Sequence, residues 1–451
     1  LLAKRSEFPA TRARAWDRAG CSGWLTLLLT FCVRAGFDAT ASSTLVAVRP
    51  WARILRRVPT VCCGTLDSVT GHEEVEREGP ALQGLIPGIV DAHVHYFNPS
   101  RPSWVMERFE QLPMKRFVPP PVRWLAARLG AGSDNHLGLD PSLLRALYEP
   151  NNYARDAAAL PAVGGVGVAA VVAVEANWRT VRPPEALMDS SYEELQYLLD
   201  LPHGRRGPEL GAVVIAADPR HPQFAAQLDR QLDFSDKVRA VRFKWAQHPD
   251  PDIHDWCDEP DAVASTRFLQ GFEAMVERDL VFVSLAYSHQ LGQLDMLARR
   301  FPEVTMVVEH LGVPAGVFGP TGTRTGMTAA ARAEILGLWR ERMAMIAQRP
   351  NVVVKVSGLG LPYLGYGPET SGNIGTRAVL ADMMGPLVTH VVEHFGPDRV
   401  IFGSDSPIDR PNSPIEMTVG ALLDVLGERG PYLLQQLFAD NARRIFDIAL
   451  D

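Results

Sequence analysis

The segment GIVDAHVH, residues 88–95, places two imidazoles and a carboxyl at alternate positions. In an extended strand alternate side chains share a face, so Asp91, His93 and His95 would point the same way where the strand ends. Two nitrogen donors at that spacing suit one divalent ion. The bland alternative is a pair of histidines in the loop that leaves the strand. Other ionisable residues also follow apolar runs. Residues 304–308 lead through Glu309 into His310, residues 400–404 into Asp405, and residues 166–174 into Glu175. VRFKW, residues 241–245, sets Arg242 and Lys244 on one face. Cations on an apolar strand need an anionic partner. That partner is either an internal carboxylate, Glu175 or Asp405, or an anionic substrate.

Bringing these groups together requires a fold that ends several strands on one side. Short β-branched runs at 89–92, 166–174, 212–216, 238–243, 280–285, 304–308, 352–356 and 399–402 alternate with stretches of helical periodicity. Leu291, Leu294 and Leu297 show that spacing, as do Ile335, Leu338, Trp339 and Ile346. Eight such units predict a (β/α)8 TIM barrel, whose catalytic residues collect at the C-terminal ends of the strands. An open doubly wound sheet is the rival, but no Gly-x-Gly-x-x-Gly turn follows the first strand. The connections after strands 1 and 2, residues 96–165 and 176–210, are long. The first carries Trp104, Arg108, Lys115, Arg116 and a helical piece at 143–147; the second carries Trp178, His203, Arg205 and Arg206.

The chain has 451 residues, 46% of them hydrophobic and 22% charged, which fits a folded globular protein. A net charge of −7 gives no reason to expect a nucleic-acid partner, and no apolar run is long enough to span a membrane. A small-molecule substrate is the expected partner, with self-association left open. Residues 1–60 run against the overall charge, with ten basic side chains against three acidic ones, and residues 1–63 hold four of the five cysteines. Residues 1–80 are therefore expected to be an irregular, poorly ordered extension or a mis-assigned start, and residues 81–451 the barrel domain. The segment 23–33 has the outline of a secretory signal, yet the reading favoured is a cytoplasmic protein, since Cys257 alone cannot form a disulfide within the domain.

Taken in order, IVDAHVH, VEHLGVP (308–314), VVVKVSGLG (352–360), RVIFGSDSP (399–407) and LFADNARRIF (437–446) resemble the amidohydrolase superfamily. Within it they are nearest the amidohydrolase-related group of sugar-acid and 2-pyrone-4,6-dicarboxylate lactonases. The resemblance covers residues 85–448. It implies that His93, His95, His310 and Asp405 hold one divalent metal ion, zinc by preference. It also implies that Asp405 is the general base, with His310 beside it in catalysis. At the fifth strand, where full metal sites carry a histidine, this chain offers Tyr287 and then His289, so whether a metal is required stays open.

The function that follows is hydrolysis of a lactone or related cyclic ester bearing a carboxylate, with Arg242, Lys244, Glu175, Tyr287 and His289 as the substrate-binding set. A non-oxidative decarboxylase of the same superfamily is the first alternative, disfavoured because only 21 positions separate His289 from His310. A barrel that merely binds a ligand is the second. Lys355 and Ser357 read as turn-shaping residues, and His221, His248, His254, His390 and His394 as solvated or capping ones.

Overall fold

The computed structural model describes residues 82–98, 143, 146–176, 184–366 and 374–450. The extension 1–80, the segment 23–33, and Trp104, Arg108, Lys115, Arg116 and Trp178 lie outside the described residues. Eight strands follow one another around a single parallel sheet: β1 Ile89–Val94, β2 Val168–Val174, β3 Glu209–Ala216, β4 Val238–Lys244, β5 Val281–Leu285, β6 Met306–Val308, β7 Val352–Val356 and β8 Val400–Phe402. Beyond the last strand the ring closes through a parallel bridge between Val94 and Ser406, where His95 N donates to Ser406 O at 2.8 Å. This is the (β/α)8 barrel that the strand count predicts, and each predicted strand falls on an observed one.

The strands are almost continuously apolar because they are covered on both sides. VAAVVAV, VFVSL and VVVKV are buried for most or all of their length. Helices supply the outer ring. Leu291–Arg300 buries Leu291, Leu294 and Leu297, the positions its spacing marks out. Ala329–Ile346 buries Trp339, Met343 and Ile346, while Ile335 and Leu338 are only partly covered. In the connection after β1, Leu143 lies in helical backbone, residues 144–145 of the piece predicted at 143–147 lie outside the described residues, and a further helix spans Pro150–Asp156. Phe97 and Tyr148 pair by two backbone hydrogen bonds of 2.9 Å just before it. Among the described residues, no helix is long and apolar enough to cross a membrane.

Candidate active site

The strand ends of β1, β6, β7 and β8 carry the groups that could do chemistry. Asp91 shares a face with the histidines but is committed to the scaffold. Its Oδ1 accepts from His93 N at 3.1 Å and Ser404 N at 2.8 Å, and its Oδ2 accepts from Tyr153 Oη at 2.7 Å. Asp91 thereby fastens β1 to the turn after β8. Burial raises its pKa above the ordinary carboxylate value in spite of those hydrogen bonds.

Two of the turns are held in unusual backbone conformations. His310, Leu311 and Val313 have φ of 51°, 55° and 32°, and Asp405 has φ of 51°. Side-chain-bearing residues in this left-handed region cost about 1–2 kcal/mol each, and such strain tends to be kept where it aims a functional group. Trp339 Nε1, donating to Leu311 O at 2.6 Å, helps hold the first turn. Two glycines clear space for the imidazoles. A Cβ on Gly358 would lie 2.5 Å from the His310 ring, and one on Gly403 would lie 2.8 Å from His93 Cβ.

The ligand atoms converge. His93 Nε2 and His95 Nε2 are 3.0 Å apart, and each is 3.4 Å from Asp405 Oδ1. His310 Nε2 stands 4.0 Å from Asp405 Oδ2. His95 Nδ1 donates to Val174 O at 3.1 Å, which leaves a lone pair on the Nε2 of a neutral ring. His310 Nδ1 lies 3.0 Å from Ser357 Oγ. Burial, reinforced by Lys355 and the other imidazoles, holds His93 well below the usual histidine range. Burial alone would raise Asp405, yet His310, His95 and Arg242 keep it below its ordinary value. The four residues named from the sequence as metal ligands are thus brought together, with His310 the most distant from Asp405.

Behind them lies a buried charge network. Arg242 Nη1 donates to Glu175 Oε1 at 2.9 Å, while its Nε and Nη2 both meet Glu309 Oε2 at 2.8 Å. Lys244 Nζ contacts Glu175 Oε1 at 2.8 Å. Of the two partners open to these cations, the structure shows the internal carboxylate. Arg242 and Lys244, the two cations expected to hold a substrate anion unless paired internally, both meet Glu175, and all three guanidinium nitrogens of Arg242 are engaged by carboxylates. Lys355, between two valines of β7, is buried, with Nζ 3.3 Å from His93 Nδ1 and 3.6 Å from Glu309 Oε1. Burial pushes its pKa down to about 8 while Glu309 opposes the shift. Lys355 and Ser357 therefore touch site imidazoles instead of merely shaping a turn. Glu309 was missed as well. Lys355 had a signal in its own sequence context, since a lysine within VVVKV needs an anion as much as Arg242 does.

Tyr287 and His289 pack against one another and against His248. Tyr287 Oη donates to His254 O at 2.8 Å, and its ring is stacked with that of His289 at a centroid distance of 6.2 Å. His248 packs edge-on against both. His289 lies in a short 3-10 turn, Ser288–Gln290, before the next helix, and belongs to neither ligand group described below.

Among the described residues two groups could hold a cation: His93, His95 and Asp405, and His93, Glu309 and His310. Donor atoms around a tetrahedral zinc lie ~3.3 Å apart, so the 3.0 and 3.4 Å separations in the first group fit one ion. The hydrogen bond from His95 Nδ1 to a carbonyl is the outer contact that zinc-binding imidazoles ordinarily make. On the Glu309 side of His93 a cation is already present as the Lys355 ammonium, 3.3 Å from the histidine and 3.6 Å from the carboxylate. A second ion would be repelled there.

The Amidohydrolase family profile matches residues 90–448. The uncharacterized protein y4mH of Sinorhizobium fredii is 26% identical over 247 residues, which cover 55% of this chain and 70% of that protein. An L-fucono-1,5-lactonase of Burkholderia ambifaria is 28% identical over 222 residues, 48% of this chain and 62% of the lactonase. The chain therefore spans less than two thirds of the lactonase it matches. A zinc-bound crystal structure of an amidohydrolase from Burkholderia multivorans superposes with a TM-score of 0.56 at 20% identity, covering 80% of this chain and all of that one, and it supports the fold. Since the profile runs from within β1 to Ile448 and so takes in every strand of the barrel, the chain belongs to the amidohydrolase family.

Proposed function

We propose that the protein is a lactone hydrolase with one divalent ion, zinc by preference, held by His93, His95 and Asp405 with His310 alongside. The carrying observation is the approach of three atoms able to ligate an ion, the two Nε2 atoms and Asp405 Oδ1, to within 3.0–3.4 Å of one another in a buried site. When bound, the ion would polarise a carbonyl and lower the pKa of water beside it. Asp405 takes a proton from the attacking water and returns it to the ring oxygen as the acyl–oxygen bond breaks, so that lactone and water give a hydroxy acid. Ser357 fixes the ring of His310, which offers Nε2 to Asp405 or to the carbonyl oxygen. Similarity across 48% of the chain to L-fucono-1,5-lactonases supports a sugar lactone as the substrate class. Because Arg242 is engaged by Glu175 and Glu309, we favour an uncharged lactone over one bearing a carboxylate. Proton release from a panel of sugar 1,4- and 1,5-lactones tests the proposal. Acceleration of at least one sugar lactone supports it, and hydrolysis of every lactone at the background rate overturns it.

A further inference from the structure

The two nitrogens of His93 face opposite demands. Its Nε2 looks toward His95 Nε2 and Asp405 Oδ1, and its Nδ1 lies 3.3 Å from both Glu309 Oε1 and Lys355 Nζ. One of those neighbours can only accept a hydrogen and the other can only donate one. A neutral imidazole carries a single N–H, so the ring can serve either Glu309 or Lys355. Both choices have consequences on the far side of the ring. With the hydrogen on Nδ1, Glu309 Oε1 gains a donor. Lone pairs on His93 Nε2, His95 Nε2 and Asp405 then face one another, an arrangement that a cation between them would stabilise. With the hydrogen on Nε2, Lys355 donates to Nδ1, and His93 Nε2–H donates to His95 Nε2. That second network is satisfied without an ion, except at Glu309.

Glu309 points to which arrangement the chain is built for. Its Oε2 is taken by two nitrogens of Arg242, whereas Oε1 is buried without a hydrogen-bond partner. The Lys355 ammonium, 3.6 Å away, offers that oxygen charge but no hydrogen bond; a buried carboxylate oxygen without a hydrogen bond is costly, and His93 Nδ1–H is a donor that could satisfy it. We propose that Glu309 is a positioning residue that selects the metal-binding tautomer of His93, and that Lys355 competes for the same nitrogen and favours the tautomer of the ion-free site. The inference rests on the metal-binding reading above. It assigns the strength of binding to two residues outside the ligand set, with effects of opposite sign.

Zinc affinity measured by competition with a chromophoric chelator tests it, with thermal melting of each variant as the fold control. Glu309→Gln presents an amide that can donate to Nδ1, and is expected to weaken zinc binding about 10- to 100-fold. Lys355→Met removes the competing donor and is expected to strengthen it. Histidine 15N spectra, with the His93 signal assigned by its loss in His93→Gln, should show Nδ1 protonated in the zinc-loaded wild type. No zinc binding by the wild type overturns the metal reading and this inference with it. Zinc binding by the wild type with Glu309→Gln within about threefold of it, or Lys355→Met weakened as well, overturns this inference alone. Where a variant fails to fold, a zinc-loaded wild-type spectrum with the hydrogen on Nε2 of His93 does the same.

Discussion

Arg242 and Glu309 meet through two nitrogens on one oxygen, with Nε and Nη2 each 2.8 Å from Glu309 Oε2. The same guanidinium holds Glu175 at 2.9 Å, so one buried cation links the ends of β2, β4 and β6. Arg242→Met would leave two buried carboxylates without their shared partner. Breaking a buried pair from one side costs about 3–5 kcal/mol, and urea unfolding of the variant should show a loss of that order. The relative preference for charged over neutral lactones should not change. A stable variant that selectively loses a charged lactone would return Arg242 to substrate binding.

Asp405→Asn keeps the shape of the side chain and removes its ability to take a proton. Turnover should fall about 100- to 10,000-fold with an unchanged circular dichroism spectrum. Near-normal kcat would remove Asp405 from the mechanism.

The barrel was legible because each strand is a short β-branched run and because both faces of a parallel barrel strand are buried, which produces such runs. The gathering of His93, His95, His310 and Asp405 was legible for a related reason: each stands at or just beyond the end of an apolar strand, although only the family resemblance joined them into one set. What could not be read was how charges pair across the barrel. Arg242 sits 67 positions from both Glu175 and Glu309, and nothing local to VRFKW separates an internal carboxylate from a substrate anion. Lys355 and His93 are 262 positions apart, and their contact follows only from ring closure between the first and last strands. Asp91 shows what alternation leaves open: it shares the histidines' face as the spacing predicts, but its oxygens are used by Tyr153, Ser404 and the backbone of His93.

Tyr153→Phe isolates that scaffold role. The hydroxyl gives Asp91 Oδ2 a 2.7 Å hydrogen bond in a fully buried setting. Its loss should destabilise the fold by about 1–3 kcal/mol, read as a lowered denaturation midpoint. A midpoint equal to that of the wild type would show that Asp91 has another donor available.

His203 gives a pH signature away from the ligands. Burial pushes its pKa down from 6.5 to about 4, against the opposing hydrogen bond to Leu198 O. Between those two values the unfolded chain binds a proton that the folded chain does not, so this group lowers stability as pH falls from 6.5 toward 4. Urea midpoints at pH 7 and pH 5 should drop less in His203→Gln than in the wild type. Equal drops would mean that His203 titrates alike in both states.

Under the proposed function, a single ion at His93, His95 and Asp405 turns the barrel into a lactone hydrolase. The direct test follows proton release from a sugar lactone while zinc is added stepwise to chelator-stripped protein. The rate should rise in proportion to bound zinc and level off at one equivalent per chain. Hydrolysis that proceeds at full rate before any zinc is added, or that needs a second equivalent, would contradict the account.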